Sequence, residues 1–310
     1  MPTTQTMPHL VPDASVGAAP PLDRPFLVAH DLVGHPLLRI DALIELARRL
    51  PPSQLQYNRG DLDPFFDRRN VPSNGLTAEE TLAAIERCRS WMVIKHVQTD
   101  PDYRALVDAV LDAVERDVFG GRIVDMHQRE AYIFVTSPGS VTPLHMDPEH
   151  NVLWQIQGSK TMTVWEPGRQ DFLPDRFLED FYTSRAHGTL QIERIDAPGR
   201  SFTLQPGQGL HVPLESPHFV QNGEAVSISF STTWRSAASR RKATVHQFNA
   251  KARRLGLRPA VFGRHPWADG SKAAVMRTGR ALKRVLGRGD ASPGARGERY
   301  GSPDGGGGMQ

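Results

Sequence analysis

The residues of this chain best suited to redox or hydrolytic chemistry gather in Val141-Thr142-Pro143-Leu144-His145-Met146-Asp147-Pro148-Glu149-His150-Asn151. His145 and Asp147 form a His-x-Asp pair on a stretch that reads as extended, and Lys160 falls on what reads as the next strand. Residues i and i+2 of a strand face the same side with Cα atoms about 6.5 to 7 Å apart. His145 and Asp147 can therefore share one cation while Met146 points away. A third donor, His218, arrives in Val212-Pro213-Leu214-Glu215-Ser216-Pro217-His218. Two imidazoles and one carboxylate with open positions form the facial ligand set of non-haem Fe(II). Mn(II) or Ni(II) could occupy the same set, while a structural zinc would favour thiolates.

The remaining histidines read differently. His150, three residues past Asp147 and two past Pro148, is expected in a loop or behind the ligands. His211 lies on the strand leading to Pro213, and its register turns it away from the site if His218 faces inward. His187 belongs to a loop and has no nameable partner. His9, His30, His35, His96, His127, His246 and His265 are scattered and read as surface or packing residues. Lys160 follows the Gly158-Ser159 turn and shares a strand face with Met162 and Val164. Its ammonium then points among apolar groups, which is costly unless the charge is paired. A carboxylate ligand would supply the counter-charge; the alternative is a strand-end lysine turned out to solvent.

The frame around these residues is that of a water-soluble globular chain. Its 310 residues can bury a sizeable core in one large domain or two ordinary ones. No run approaches the ~18 to 20 apolar residues of a membrane span. The first residues lack the basic start and apolar run of a secretory signal, and the single cysteine, Cys88, fits a reducing cytoplasm. Cys88 shares a helical pattern with Leu82 and Ile85, which makes it a packing residue.

Residues 1–22, rich in Pro, Ala and Thr, are expected to be disordered. Apolar residues at 40, 43, 44, 47 and 50 describe an amphipathic helix stopped by Pro51. Thr77 and Glu80 form a capping box for a helix to about Arg89. Asp100 and Pro101 open another helix, with Tyr103, Leu106, Val107, Val110, Leu111 and Val114 on one stripe. Trp91 to Val97 reads as one strand, so residues 23–120 read as mostly helical support.

From about residue 121 to 235 the pattern turns to strands: 130–137, 152–157, 160–165, 189–195, 200–204, 209–213 and 225–234. Turn signals such as Gly158-Ser159, Pro206-Gly207 and Asn222-Gly223 separate them, the signature of a β-sandwich or barrel. An acidic, aromatic-bearing insert at 171–183 reads as a helix or lid.

With these residues assembled, the chain resembles the JmjC/cupin-like Fe(II)- and 2-oxoglutarate-dependent oxygenases. The branch it resembles most contains the asparaginyl hydroxylase that inhibits hypoxia-inducible factor, together with bacterial cupin-like proteins. The resemblance rests on Gly139 to Asp147, Asn151, Gln155-Ile156-Gln157-Gly158-Ser159-Lys160, and Pro206-Gly207-Gln208-Gly209-Leu210-His211-Val212-Pro213 leading to His218. It implies a mainly β fold, a jelly-roll double-stranded β-helix of eight strands with helices packed outside. It also implies His145, Asp147 and His218 as iron ligands. Lys160 and Thr142 would hold the distal carboxylate of 2-oxoglutarate, and Asn151 would lie near the cosubstrate. Ser231 falls roughly where the family has Asn on its last strand, and Gln208 replaces the Asp of Pro-Gly-Asp. The matched motifs do not place the family's cosubstrate tyrosine, for which Tyr132 is the candidate. The implied reaction uses O2 to hydroxylate a protein or peptide side chain or a small metabolite. A non-catalytic cupin-like binding or regulatory protein is the competing reading, and the intact set of four residues weighs against it.

Charge is distributed unevenly. Fifteen Lys/Arg and one acid, Asp269, lie between Arg235 and Arg288, giving that block +14 and leaving −11 for the rest of a chain of net +3. Residues 236–288 read as helical, with Val275, Leu282, Val285 and Leu286 near one face and cations on the other. Such a region could dock on the barrel, form a homodimer through C-terminal helices, or meet an acidic partner. The Gly-rich tail, 289–310, is expected to be disordered.

Overall fold

The structure is a computed structural model that describes residues 8–14, 17, 20–67, 70–122, 125–169, 172–183, 195 and 197–285. Its centre is built from eight strands: β5 (His127–Thr136), β6 (Val141–His145), β7 (His150–Gln157), β8 (Lys160–Val164), β9 (Arg200–Leu204), β10 (Gln208–Val212), β11 (His218–Asn222) and β12 (Ser227–Arg235). They pair antiparallel in two sheets, β10-β7-β12-β5 and β6-β11-β8-β9, which face each other as a double-stranded β-helix. The first sheet is extended on one side by β2 (Phe26–His30) and β1 (Leu10–Pro12), and on the other by β4 (Ser90–Ile94) and β3 (Leu55–Arg59).

Sequence alternation explains the two faces of the large sheet. In β12, Ile228, Phe230 and Trp234 point one way and Ser227, Ser229, Ser231 and Thr233 the other. The apolar face joins Ile133, Val135 and Trp154 and is covered by α1 (Ile40–Arg49) and α3 (Pro101–Ala113) through Leu43, Leu46, Tyr103, Leu106 and Val110. The other face looks into the barrel, where Leu153, Met162, Val164, Phe202, Leu204, Leu210, Val212 and Val220 form a second apolar cluster. The turn before Lys160 depends on Gly158, whose φ is +67°. A Cβ there would lie 2.4 Å from the Val226 carbonyl oxygen.

Three further helices follow β8: α4 (Asp175–Thr183), α5 (Ala237–Arg254) and α6 (Pro266–Val285). The insert expected at 171–183 thus contains a helix. It packs on the outer face of the smaller sheet with Leu144, Met146 and Trp165. Among the described residues no helix is long and apolar enough to cross a membrane.

Several expectations change. The capping box of Thr77 and Glu80 is present, but α2 (Ala78–Ala83) ends early; turns follow, and Arg89 (φ 48°) is left-handed just before β4. Residues 10–12, expected to be disordered, form β1. The segment to residue 120 contributes β1–β4 as well as helices. β1 and β3 are edge strands of weak or short alternation, which hides them in the sequence. β6 and β11 are short strands that carry the candidate ligands His145 and His218 at their ends. The strand expected at 189–195 falls almost wholly outside the described residues, as do His187 and the 289–310 tail. On α6, Val275 (60 % exposed), Leu282 and Trp267 (76 %) face outward, while Ala273 and Asp269 are buried.

Phe230 is fully buried between the sheet and its helices. Phe230→Ala is expected to lower unfolding free energy by about 3–5 kcal/mol, whereas Val275→Ala should stay within about 0.5 kcal/mol. Chemical denaturation of both variants checks the assignment of the two faces.

Candidate metal centre and cosubstrate pocket

β6 and β11 run side by side with His145 opposite His218, so the end of one strand meets the start of the other. The sequence placed Asp147 on the same strand as His145. Instead β6 ends at His145, and Asp147 sits in the bend that follows, ahead of Pro148. The three side chains still converge. One ligand atom from each of His145, Asp147 and His218 lies within 4.8 Å of the others, the one such group among the described residues. His218 Nε2 is 3.8 Å from Asp147 Oδ2.

The imidazoles are oriented by main-chain carbonyls. His145 Nδ1 is 2.8 Å from the Pro143 oxygen and His218 Nδ1 is 2.9 Å from the Ser216 oxygen. A carbonyl only accepts, so Nδ1 carries the proton on both rings and Nε2 keeps its lone pair for a cation. Met146 points away as expected and packs against α4.

Lys160 begins β8 beside Asn222 of β11 and Leu204 of β9. With Met162 and Val164 it faces the barrel interior, and it is only 4 % exposed. Burial pushes its ammonium down to about 7, and among the described residues no carboxylate pairs with it. Asn222 next to it donates from Nδ2 to the Ser140 oxygen at 2.7 Å, while its buried Oδ1 has no partner. The surface-lysine alternative is thereby removed. His218 sits opposite Val164, so Lys160 lies four residues, ~13 Å, along the strand from the ligand row. A lysine side chain and a five-carbon diacid laid end to end bridge such a gap.

Thr142 pairs with Val220 and shares its interior-facing side, one strand away from Met162. Asn151 and Ser231 both face inward, and Ser231 Oγ donates to Asn151 Oδ1 at 2.8 Å. That bond fixes the carboxamide and leaves Asn151 Nδ2 to donate elsewhere. Tyr132 also faces inward, opposite Ser231, but its hydroxyl donates to Glu130 Oε2 at 3.0 Å.

Two histidines are settled by packing. His211 is fully buried on the outer face, stacked on Phe26 at 4.7 Å, and burial pushes its pKa down to about 3. It is a core residue and no ligand. His150 starts β7, stacks on Trp234 at 5.3 Å, and burial brings it to about 4, which corrects the loop expectation.

A charged group at the barrel mouth went unremarked in the sequence. Burial pushes the Glu130 carboxyl up, but His96, Tyr132 and Arg235 outweigh this and hold it below the usual range. Arg235 in turn binds Glu149, with its Nε 3.1 Å from Oε1. Strand alternation from Ser231 through Thr233 to Arg235 was the available signal.

Comparison with known proteins agrees with this geometry. Residues 52–249 match the Cupin-like domain family. The chain is 32 % identical over 102 residues to Jumonji C domain-containing protein 5 of Drosophila melanogaster. It is 30 % identical over 108 residues to Lysine-specific demethylase 8 of Xenopus tropicalis. Each alignment takes in 31 % of this chain, and 25 % and 22 % of the two relatives' own lengths. The crystal structure of the Escherichia coli ribosomal oxygenase YcfD superposes with a TM-score of 0.50 at 15 % identity. That match covers 90 % of this chain and 68 % of the other, a likeness of fold. The family match spans well over half of the chain and includes all three clustered residues, so the chain belongs to the cupin-like domain family.

Proposed function

We propose that the chain is an Fe(II)- and 2-oxoglutarate-dependent oxygenase that hydroxylates a protein or peptide side chain or a small metabolite. The observation that carries this reading is Lys160, a buried ammonium with no counter-ion among the described residues, in the same barrel as an open His-Asp-His cluster. A pure metal-binding module has no use for that charge, whereas a dicarboxylate cosubstrate neutralises it.

The donor set suits Fe(II), since two imidazole nitrogens and one carboxylate leave coordination positions open. Bound iron would let O2 act as the oxidant and 2-oxoglutarate as the co-reductant: one oxygen atom would go to the substrate, turning C–H into C–OH, and the other to succinate, with CO2 released. The chain's own residues do the rest. Pro143 and Ser216 carbonyls hold His145 and His218 with Nε2 inward. Lys160 and Thr142 bind the distal carboxylate, and Ser231 turns the Asn151 amide donor toward the cosubstrate. Met162, Val164, Val212 and Val220 keep water from the interior. Asp147, about one-third exposed, stands where the substrate enters.

Anaerobic addition of Fe(II) and 2-oxoglutarate should produce a weak visible charge-transfer band. The band should vanish in His145→Ala and weaken in Lys160→Ala. A folded wild-type protein that gives no band would contradict the proposal.

The Lys160 charge also leaves a mark on stability. Its folded pKa, about 7, lies below the ~10.4 of an unfolded lysine, so the unfolded chain binds the extra proton between these values. Stability of the ligand-free protein should therefore rise with pH across that window. Bound 2-oxoglutarate holds the proton on Lys160 and should flatten the rise. The difference between wild type and Lys160→Met in denaturation from pH 7 to 9.5 isolates the effect; identical slopes would remove it.

A further inference from the structure

Glu215 lies between β10 and β11, three residues before His218, and its side chain is completely buried. A carboxylate is buried only with strong partners. Tyr182 of α4 donates to Oε1 at 2.5 Å, and Lys242 of α5 donates to Oε2 at 2.6 Å. The Glu215 backbone N–H donates to the Asp147 carbonyl at 3.1 Å. The next residue, Ser216, supplies the carbonyl that orients His218. One turn thus touches two of the three candidate ligands.

The backbone at Glu215 is left-handed, φ 62°, a conformation that glycine adopts far more readily than an acid. A strained position occupied by a fully paired glutamate points to a side chain that the site requires. The two helices that hold it are themselves braced. Arg253 of α5 pairs with buried Glu179 of α4 at 2.9 Å, and Gln247 Nε2 donates to the Tyr182 carbonyl at 3.0 Å. From the same side, Met146, between His145 and Asp147, packs in the cluster that contains Phe181 and Tyr182.

We infer that Glu215 is a positioning residue for the metal centre: its carboxylate anchors to α4 and α5 the turn that leads into His218 and hydrogen-bonds the Asp147 carbonyl, setting both residues before a cation arrives. This rests on the metal-site reading proposed above and deepens it. It also gives part of the basic C-terminal block an internal task, since the charge of Lys242 is neutralised inside the protein.

The experiment compares wild type with Glu215→Gln, Tyr182→Phe and, as a control, Asp100→Asn, which breaks the ion pair between Arg49 of α1 and the start of α3. Two readouts are taken on full-length protein: Co(II) affinity from its d–d absorption, and amide exchange of residues 145–149 and 215 in the metal-free state. Glu215→Gln should weaken Co(II) binding about tenfold or more, as for partners behind metal ligands generally. It should also speed exchange at 215. Tyr182→Phe should act in the same direction to a smaller extent, and Asp100→Asn should lower thermal stability without changing Co(II) affinity. Wild-type affinity in both Glu215→Gln and Tyr182→Phe would overturn the inference. If wild type itself binds no Co(II), the oxygenase proposal fails. Exchange then decides the anchoring role alone: faster exchange in Glu215→Gln upholds it and unchanged exchange ends it.

Discussion

Placing an ammonium inside a β-barrel with no matching carboxylate among the described residues is a constraint that the surrounding structure must absorb. Lys160 stands on the same face as Met162 and Val164, and burial brings it to about 7. Isolated charges at such positions are unfavourable by several kcal/mol even after relaxation. Folding must therefore be driven by other parts of the molecule, chiefly the apolar layer between the large sheet and helices α1 and α3. The interior adds a smaller apolar cluster of its own and still has room for polar groups such as Asn151 and Ser231.

This division extends to the histidines. His211 and His150 lie on the packed outer side, neutral and stacked on aromatic rings, while His145 and His218 lie at the mouth with their Nδ1 protons committed to carbonyls. The residue type is the same, and strand register alone decides which role each takes. The serine ladder of β12 follows the same rule: its alternate residues Ile228, Phe230 and Trp234 complete the core, and Ser231 meets Asn151 inside.

Much of this was legible in the sequence because it depends on local periodicity. The alternation of residues 160–164 and 227–234 is visible in one dimension and fixes which side chains meet. The His-x-Asp spacing, the motif leading to His218 and the strand face of Lys160 made these residues candidates, and the resemblance to a known family grouped them. The edge strands β1 and β3 were missed because short or half-buried segments carry little alternation. Glu215 was missed for a different reason. Its importance lies in three partners from α4, α5 and the bend at Asp147, and no local pattern encodes such a convergence. The exposed apolar side of α6 likewise emerged only once α5 was seen to cover the opposite side.

The central claim is that one barrel holds a cation at His145, Asp147 and His218 and a dicarboxylate against Lys160. A crystal structure of the protein grown anaerobically with Mn(II) and 2-oxoglutarate tests it directly. The account predicts Mn(II) bound to both Nε2 atoms and the Asp147 carboxylate, with the far carboxylate of 2-oxoglutarate paired to Lys160 Nζ beside Thr142. Metal at other residues, or a cosubstrate that leaves Lys160 unpaired, would contradict it.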